Sequence, residues 1–173
     1  TAATHVPAPP VVLSIAGSDT SGGAGIQADL KTISACGAYA MTAITAITTQ
    51  DPGGVRNVWP VSAEQLCDQI EAALAYRPAA IKIGMLSRPE AIEAVVSGLS
   101  RWPAIPVVLD PVMVATSGDV LISRDAIALI TSRLLRLCCL VTPNLHEAAM
   151  LTGLPLAQDE AAMQRQAEML LAA

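Results

Sequence analysis

Aromatic side chains make up only 2% of the 173 residues, and 10 Lys and Arg stand against 15 Asp and Glu. Few stacking rings and a net charge of −5 argue against nucleic acid as a partner, since that role calls for basic patches interleaved with aromatics. No apolar run approaches the roughly 18 residues of a spanning helix, so no membrane partner is expected. No secretory signal is visible either, because no apolar region follows a basic start. The four cysteines, Cys36, Cys67, Cys138 and Cys139, show no C-x-x-C spacing. They read as reduced, with the vicinal Cys138-Cys139 pair as core filling, and they point to a cytoplasmic location. His5 and His146 have no partner set, which argues against a metal–histidine site. Ser21 lacks the G-x-S-x-G setting of a serine hydrolase.

What the chain does have is a glycine-rich turn. An apolar run from Val11 to Ile15 leads into Ala16-Gly17-Ser18-Asp19-Thr20-Ser21-Gly22-Gly23-Ala24-Gly25-Ile26-Gln27-Ala28-Asp29-Leu30-Lys31. Ile26, Leu30 and Ile33 follow the i, i+4, i+7 spacing of a helix buried on one face, so the pattern is strand, loop, helix. Glycine lets backbone approach a ligand closely, and loops at the carboxyl ends of strands are where open α/β sheets bind small molecules. Asp29 is expected in the first turn of that helix, where the helix dipole favours a carboxylate.

Two nucleotide loops compete for this segment. Gly17 and Gly22 have P-loop spacing, but Gly23 and Ala24 follow where a lysine and a hydroxyl are needed. Gly23-x-Gly25-x-x-Ala28 fits a dinucleotide fingerprint, with Asp51 near the place of the ribose-binding acid. That match begins eight residues beyond Ile15, whereas the fingerprint turn follows its strand tightly.

The rest of the chain alternates strands and helices. Residues Thr1 to Pro10, with three prolines, read as a disordered tail, and 11–173 as one folded portion. Strands are predicted over Thr42–Thr49, Val55–Val61 (an edge strand), Ala79–Gly84, Val107–Leu109 and Cys139–Thr142. Capping boxes at Ser62-x-x-Gln65 and Ser87-x-x-Glu90 open two helices, a third runs from Arg124 to Leu135, a fourth stops at Gly153, and Asp159 caps the last. Ala115 to Asp119 forms a loop. Continuous apolar strands alternating with helices predict an α/β fold, a three-layer αβα sandwich around a mostly parallel sheet. Because the chain stops inside or just after a helix, it is expected to be the front portion of a larger domain.

In such sheets the strand tips carry the chemistry. Asp29, Gln50, Asp51, Gly84, Met85, Asp110, Thr142, Asn144 and Glu147 would all lie along one edge. Bland readings stand beside each. Asn144 and Glu147 are spaced as a capping box, Asp110 begins an Asp-Pro turn, Met85 suits a core, and Lys31 and Lys82 read as solvated. Asp110 and Glu147, at neighbouring tips, would give the one or two carboxylates that magnesium takes beside nucleotide phosphates.

Taken together, these segments are similar to the hydroxymethylpyrimidine/phosphomethylpyrimidine kinases of thiamine biosynthesis, within the ribokinase superfamily. The resemblance covers Val11 to Ala173. It rests on Ala16-Gly17-Ser18-Asp19, Ser21 to Thr32, Gly37-Ala38-Tyr39, Gln50, Lys82-Ile83-Gly84-Met85-Leu86, Asp110-Pro111-Val112-Met113 with Ser117-Gly118, and Thr142-Pro143-Asn144-Leu145-x-Glu147-Ala148. It implies a ribokinase-like fold and ATP- and Mg2+-dependent phosphorylation of a hydroxymethyl-aminopyrimidine, then of its monophosphate. Asp29 and Gln50 would hydrogen-bond the pyrimidine, Gly17 would offer backbone, and Met85 and Val112 would pack on the ring. Asn144 and Glu147 would act on phosphate and magnesium, with Asp110 on the metal-facing side. A homodimer would be in keeping with the family.

The family's later lysine–glycine segment and Gly-Thr-Gly anion hole, whose neighbour is the catalytic base, have no counterpart in these residues. The 173-residue chain alone is therefore expected to bind pyrimidine weakly and not to turn over. Pyridoxal kinase activity is the nearest alternative, ahead of a nicotinamide dehydrogenase or a non-catalytic binding fragment.

Overall fold

Leu13, Ser14, Ile15 and Ala16 are all buried, which happens to a strand only when both faces of its sheet are covered. The structure, a computed structural model, describes residues 8–51, 53–114 and 121–173. Most of the expected N-terminal tail and the loop Ala115 to Asp119 lie outside the described residues; residues 8–10 are exposed. Six strands form one sheet in the order β3-β2-β1-β4-β5-β6. These are β1 (Val11–Asp19), β2 (Tyr39–Asp51), β3 (Gly54–Pro60), β4 (Ala80–Ile83), β5 (Val107–Leu109) and β6 (Leu140–Val141). All neighbouring pairs are parallel except β2 with β3, so the sheet is mostly parallel as predicted.

Alternation along β1 assigns the layers. Leu13 and Ile15 belong to one core cluster with Leu66 and Ile70 of α2 (Ala63–Leu74) and Ile92 and Val95 of α3 (Pro89–Leu99). Ser14, pointing the other way, meets Asp29 of α1 (Gly25–Ala35). Helices therefore cover both faces. The remaining helices are α4 (Arg124–Leu129), α5 (Leu145–Thr152) and α6 (Glu160–Leu171). Among the described residues no helix is long and apolar enough to cross a membrane.

Several local expectations need correction. β1 runs four residues past Ile15, through a bulge between Ala16 and Ser18. The Ser62–Gln65 capping box forms, but Ser87 caps nothing: α3 starts at Pro89 with Arg88 as N-cap and no side-chain cap bond. Proline at the first helical position needs no N–H partner and has the helical φ already, so it sets the boundary. The helix expected to reach Leu135 is α-helical only to Leu129. It continues as a π turn (Ile130–Leu134) and a 3-10 turn (Leu135–Leu137). There the hydroxyls of Thr131 and Ser132 both donate to the Ala128 carbonyl, competing with the helical ladder. The cysteines are free, and the vicinal pair divides: Cys138 is half-buried and packs against the core as expected, whereas Cys139 is exposed.

Candidate active site

The chain leaves β1 for β2 on one side of the sheet and later returns to β4 on the other, so the strand order reverses at β1. A crevice opens outside the carboxyl ends at such a switch point. Here it is a cavity of about 270 Å³, lined among others by Gly17, Asp29, Gln50, Met85, Asp110 and Val112. Its size suits one small ring, being below the roughly 300–1,000 Å³ of drug-sized sites.

One wall is the glycine-rich loop, and its own strand end fastens it. Asp19 is only 4% exposed, and its carboxylate accepts from the N–H groups of Ser21 (2.9 Å), Gly23 (3.0 Å) and Ala24 (2.8 Å) and from the Ser21 hydroxyl (2.7 Å). Burial pushes the Asp19 pKa up, but the Ser21 hydroxyl and the backbone donors of Ser21, Ala24 and Gly23 outweigh it, leaving it below 3.8. The loop's donors therefore already hold an anion. A nucleotide phosphate would have to compete with Asp19 for the N–H groups of Ser21, Gly23 and Ala24, which weighs against the dinucleotide reading. Asp51, its proposed ribose acid, is ion-paired with Arg56. Because β1 extends to Asp19, Gly23 lies four residues beyond its strand, and its distance from Ile15 does not count against the dinucleotide fingerprint.

The loop is tied down further. Gln27 of α1 accepts from the Asp19 N–H and donates to the Ser18 hydroxyl, each at 2.8 Å. Thr20 donates to the Thr48 carbonyl (2.7 Å), joining the loop to β2. Gly25 has φ +56°, and a Cβ there would collide with the Gly17 carbonyl, so two backbone segments cross at that point. A Cβ on Gly17 would come 2.7 Å from the Met85 Cε. Met85 itself is buried, and its carbonyl accepts from buried Thr45 at 2.8 Å.

The floor is ionic. Ser14 and Lys82 are register partners on β1 and β4, and both turn toward α1. Ser14 donates to Asp29 Oδ2 (2.6 Å), while Lys82 Nζ lies 3.1 Å from both Asp29 oxygens and 3.7 Å from Asp110 Oδ2. Asp29 thus sits one turn into α1, held by side chains and not by the helix terminus as expected. Lys82, expected to be solvated, is the cation of the cavity among the described residues, with 26% of its side chain exposed. Sequence patterning missed it because an isolated lysine in a strand carries no periodic signal; its register opposite Ser14 is a tertiary fact. Lys31 is exposed, donating to the Gly22 carbonyl.

Asn144 and Glu147 are not among the residues lining this cavity. They form the reciprocal capping box of α5: Glu147 N–H donates to Asn144 Oδ1 (2.9 Å), and Asn144 N–H donates to Glu147 Oε2 (2.8 Å). Glu147 is 5% exposed, whereas 40% of the Asp110 side chain is accessible. Asp110 and Glu147 do follow neighbouring strands, β5 and β6. Among the described residues no group of three or more His, Cys, Asp or Glu could hold a metal by itself. The donor set suits magnesium only in the manner typical of nucleotide sites, with one or two carboxylates beside phosphates and water.

A family model described as phosphomethylpyrimidine kinase matches residues 19–173. The chain belongs to the phosphomethylpyrimidine kinase family. It is 54% identical over 162 residues to a Rhizobium meliloti hydroxymethylpyrimidine/phosphomethylpyrimidine kinase, covering 93% of this chain and 60% of that protein. The Escherichia coli enzyme of the same description is 47% identical over 161 residues, covering 92% and 60%. This phosphomethylpyrimidine kinase family chain thus spans about 60% of the length of these curated relatives. Among solved structures, a phosphomethylpyrimidine kinase from Clostridium difficile superposes with a TM-score of 0.87 at 42% identity, over 94% of this chain and 72% of the other. A Staphylococcus aureus pyridoxal kinase in complex with pyridoxal gives 0.87 at 38% identity, over 96% and 60%.

Proposed function

We propose that the cavity at the tips of β1, β2, β4 and β5 binds a hydroxymethyl-aminopyrimidine, and that the protein to which these residues belong phosphorylates it, and then its monophosphate, with ATP and Mg2+ in thiamine biosynthesis. One observation carries this reading. Gly17, Asp29, Gln50, Met85, Asp110 and Val112 come from separate segments of a phosphomethylpyrimidine kinase family chain and line a single cavity of ring size.

The roles follow from chemistry. Asp29 accepts from the exocyclic amine of the ring, and Gln50, which can both donate and accept, reads a neighbouring ring position. Met85 and Val112 cover the apolar faces, and Gly17 lets the ring lie against backbone. Asp110, the more accessible carboxylate, serves the metal-facing side with Glu147. Asn144 and Glu147 hold the N-terminus of α5, whose free N–H groups suit phosphate. Magnesium would neutralise the charge of the transferred phosphoryl group.

Pyridoxal is the competing substrate, because pyridoxal kinases share this fold closely. Calorimetric titration of the chain with each alcohol tests the assignment. Tighter binding of the aminopyrimidine is expected, and preferential binding of pyridoxal would replace the reading with its rival.

A further inference from the structure

Lys82 is the one cation among the described residues lining the cavity, and it faces two carboxylates, Asp29 and Asp110. The fold reserves its place. Residue 84 is the first beyond β4, and a Cβ there would lie 3.1 Å from the Lys82 Nζ and 3.0 Å from the Ala16 Cβ. With glycine at this position no side chain presses on the ammonium. Beside the ammonium, the buried hydroxyl of Ser14, the register partner of Lys82, donates to Asp29 Oδ2 at 2.6 Å, so two neighbouring donors of the sheet hold the carboxylate.

We propose that Lys82 is a specificity-determining positioning residue, which pins Asp29 for a neutral amine-bearing ring and prevents Asp29 and Asp110 from acting together as a cation site. The first half rests on the aminopyrimidine reading; the second does not. With the ammonium in place, Asp29 keeps only its outward lone pairs for a ligand, in a fixed direction. Without it, two carboxylates would share a small cavity with no compensating charge. Such a pair attracts a divalent cation and presents a mobile acceptor to the ring.

The test uses the 173-residue chain with Lys82→Met, which keeps the aliphatic stem, and Lys82→Arg, which keeps the charge. Mn2+ alone, followed by electron paramagnetic resonance, and hydroxymethyl-aminopyrimidine, followed by calorimetry, are the two probes. Lys82→Met should bind Mn2+ at least about tenfold more tightly than the parent and the pyrimidine at least about tenfold more weakly, while Lys82→Arg restores both. Should Lys82→Met fail to fold, Lys82→Gln carries the same two measurements. Unchanged Mn2+ affinity in the neutral variant would overturn the proposal, as would an arginine variant as impaired as the neutral one. A parent chain blind to the pyrimidine, with the Mn2+ gain intact, would defeat the reading of the site but uphold the charge-balancing role.

Discussion

Asp19 and Ala24 are joined by a 2.8 Å hydrogen bond from the Ala24 N–H to the Asp19 carboxylate, and through it the glycine-rich loop closes on the end of its own strand. Three further donors complete the grip. Charge-assisted bonds to a nearly buried carboxylate contribute more than neutral ones, and removing the acceptor strands several amides at once. Asp19→Ala should therefore destabilise the chain by about 2–4 kcal/mol, with Asp19→Asn retaining part of the bonding. Urea unfolding checks this, and a loss in the alanine variant below about 0.5 kcal/mol would contradict it.

The same carboxylate gives a pH dependence of known sign. Its folded pKa lies below the ordinary 3.8, so the native state binds fewer protons than the unfolded state in the interval between the two values. The stabilisation is fully present above pH 3.8 and is lost as pH falls through the folded value. Stability measured by denaturant titration between pH 5 and the acid limit should fall less steeply in Asp19→Asn than in the parent. Parallel curves for the two proteins would remove Asp19 from the acid response.

Gly25→Ala should be among the most damaging single-methyl additions. It places an L-residue at φ +56° and drives its Cβ against the Gly17 carbonyl, a backbone atom with no rotamer to yield. A cost of at least about 2 kcal/mol is expected from the left-handed conformation and the overlap together. Gly17→Ala meets only the flexible end of Met85, so it should cost less stability but reduce the cavity. Thermal melts of the two variants in the reverse order would contradict the geometry.

Gln50→Ala should leave stability within about 0.5 kcal/mol and weaken discrimination of the aminopyrimidine from pyridine-ring alcohols by up to about 10². Competition titrations measure the ratio. An unchanged ratio would take Gln50 out of ring recognition.

Thiol reactivity should separate the vicinal cysteines. Burial, with the neighbouring Cys139 thiol adding to it, pushes the Cys138 thiol up to about 12, and its Sγ donates to the Leu134 carbonyl at 3.3 Å. Cys36 and Cys139 are exposed. Since the thiolate is the reactive form, alkylation at pH 8 followed by peptide mass mapping should modify those two well before Cys138. Modification of Cys138 first would show that the segment after α4 opens in solution.

Much of this organisation was legible in the chain, for identifiable reasons. Apolar runs ending at Asp110 and Asn144, glycine and proline punctuation, and the Ser62–Gln65 and Asn144–Glu147 spacings are local signals, and each corresponds to a strand tip or helix start. Strand order is not local. Nothing in the one-dimensional pattern could tell that β4 lies beside β1, and hence that Lys82 faces Asp29 from 53 residues away. The Asp19 clamp was hidden for a related reason. A carboxylate before a glycine run reads equally as a turn residue or a ligand, and only the three-dimensional loop shows its oxygens already bonded.

Backbone amide NMR of the chain titrated with hydroxymethyl-aminopyrimidine tests the whole account most directly. Saturable shifts concentrated at Gly17, Asp29, Gln50, Met85 and Asp110, with α6 and the β6 edge unmoved, are the predicted result. Shifts centred on β6 and α6, or none at ligand concentrations that saturate a weak site, would contradict it.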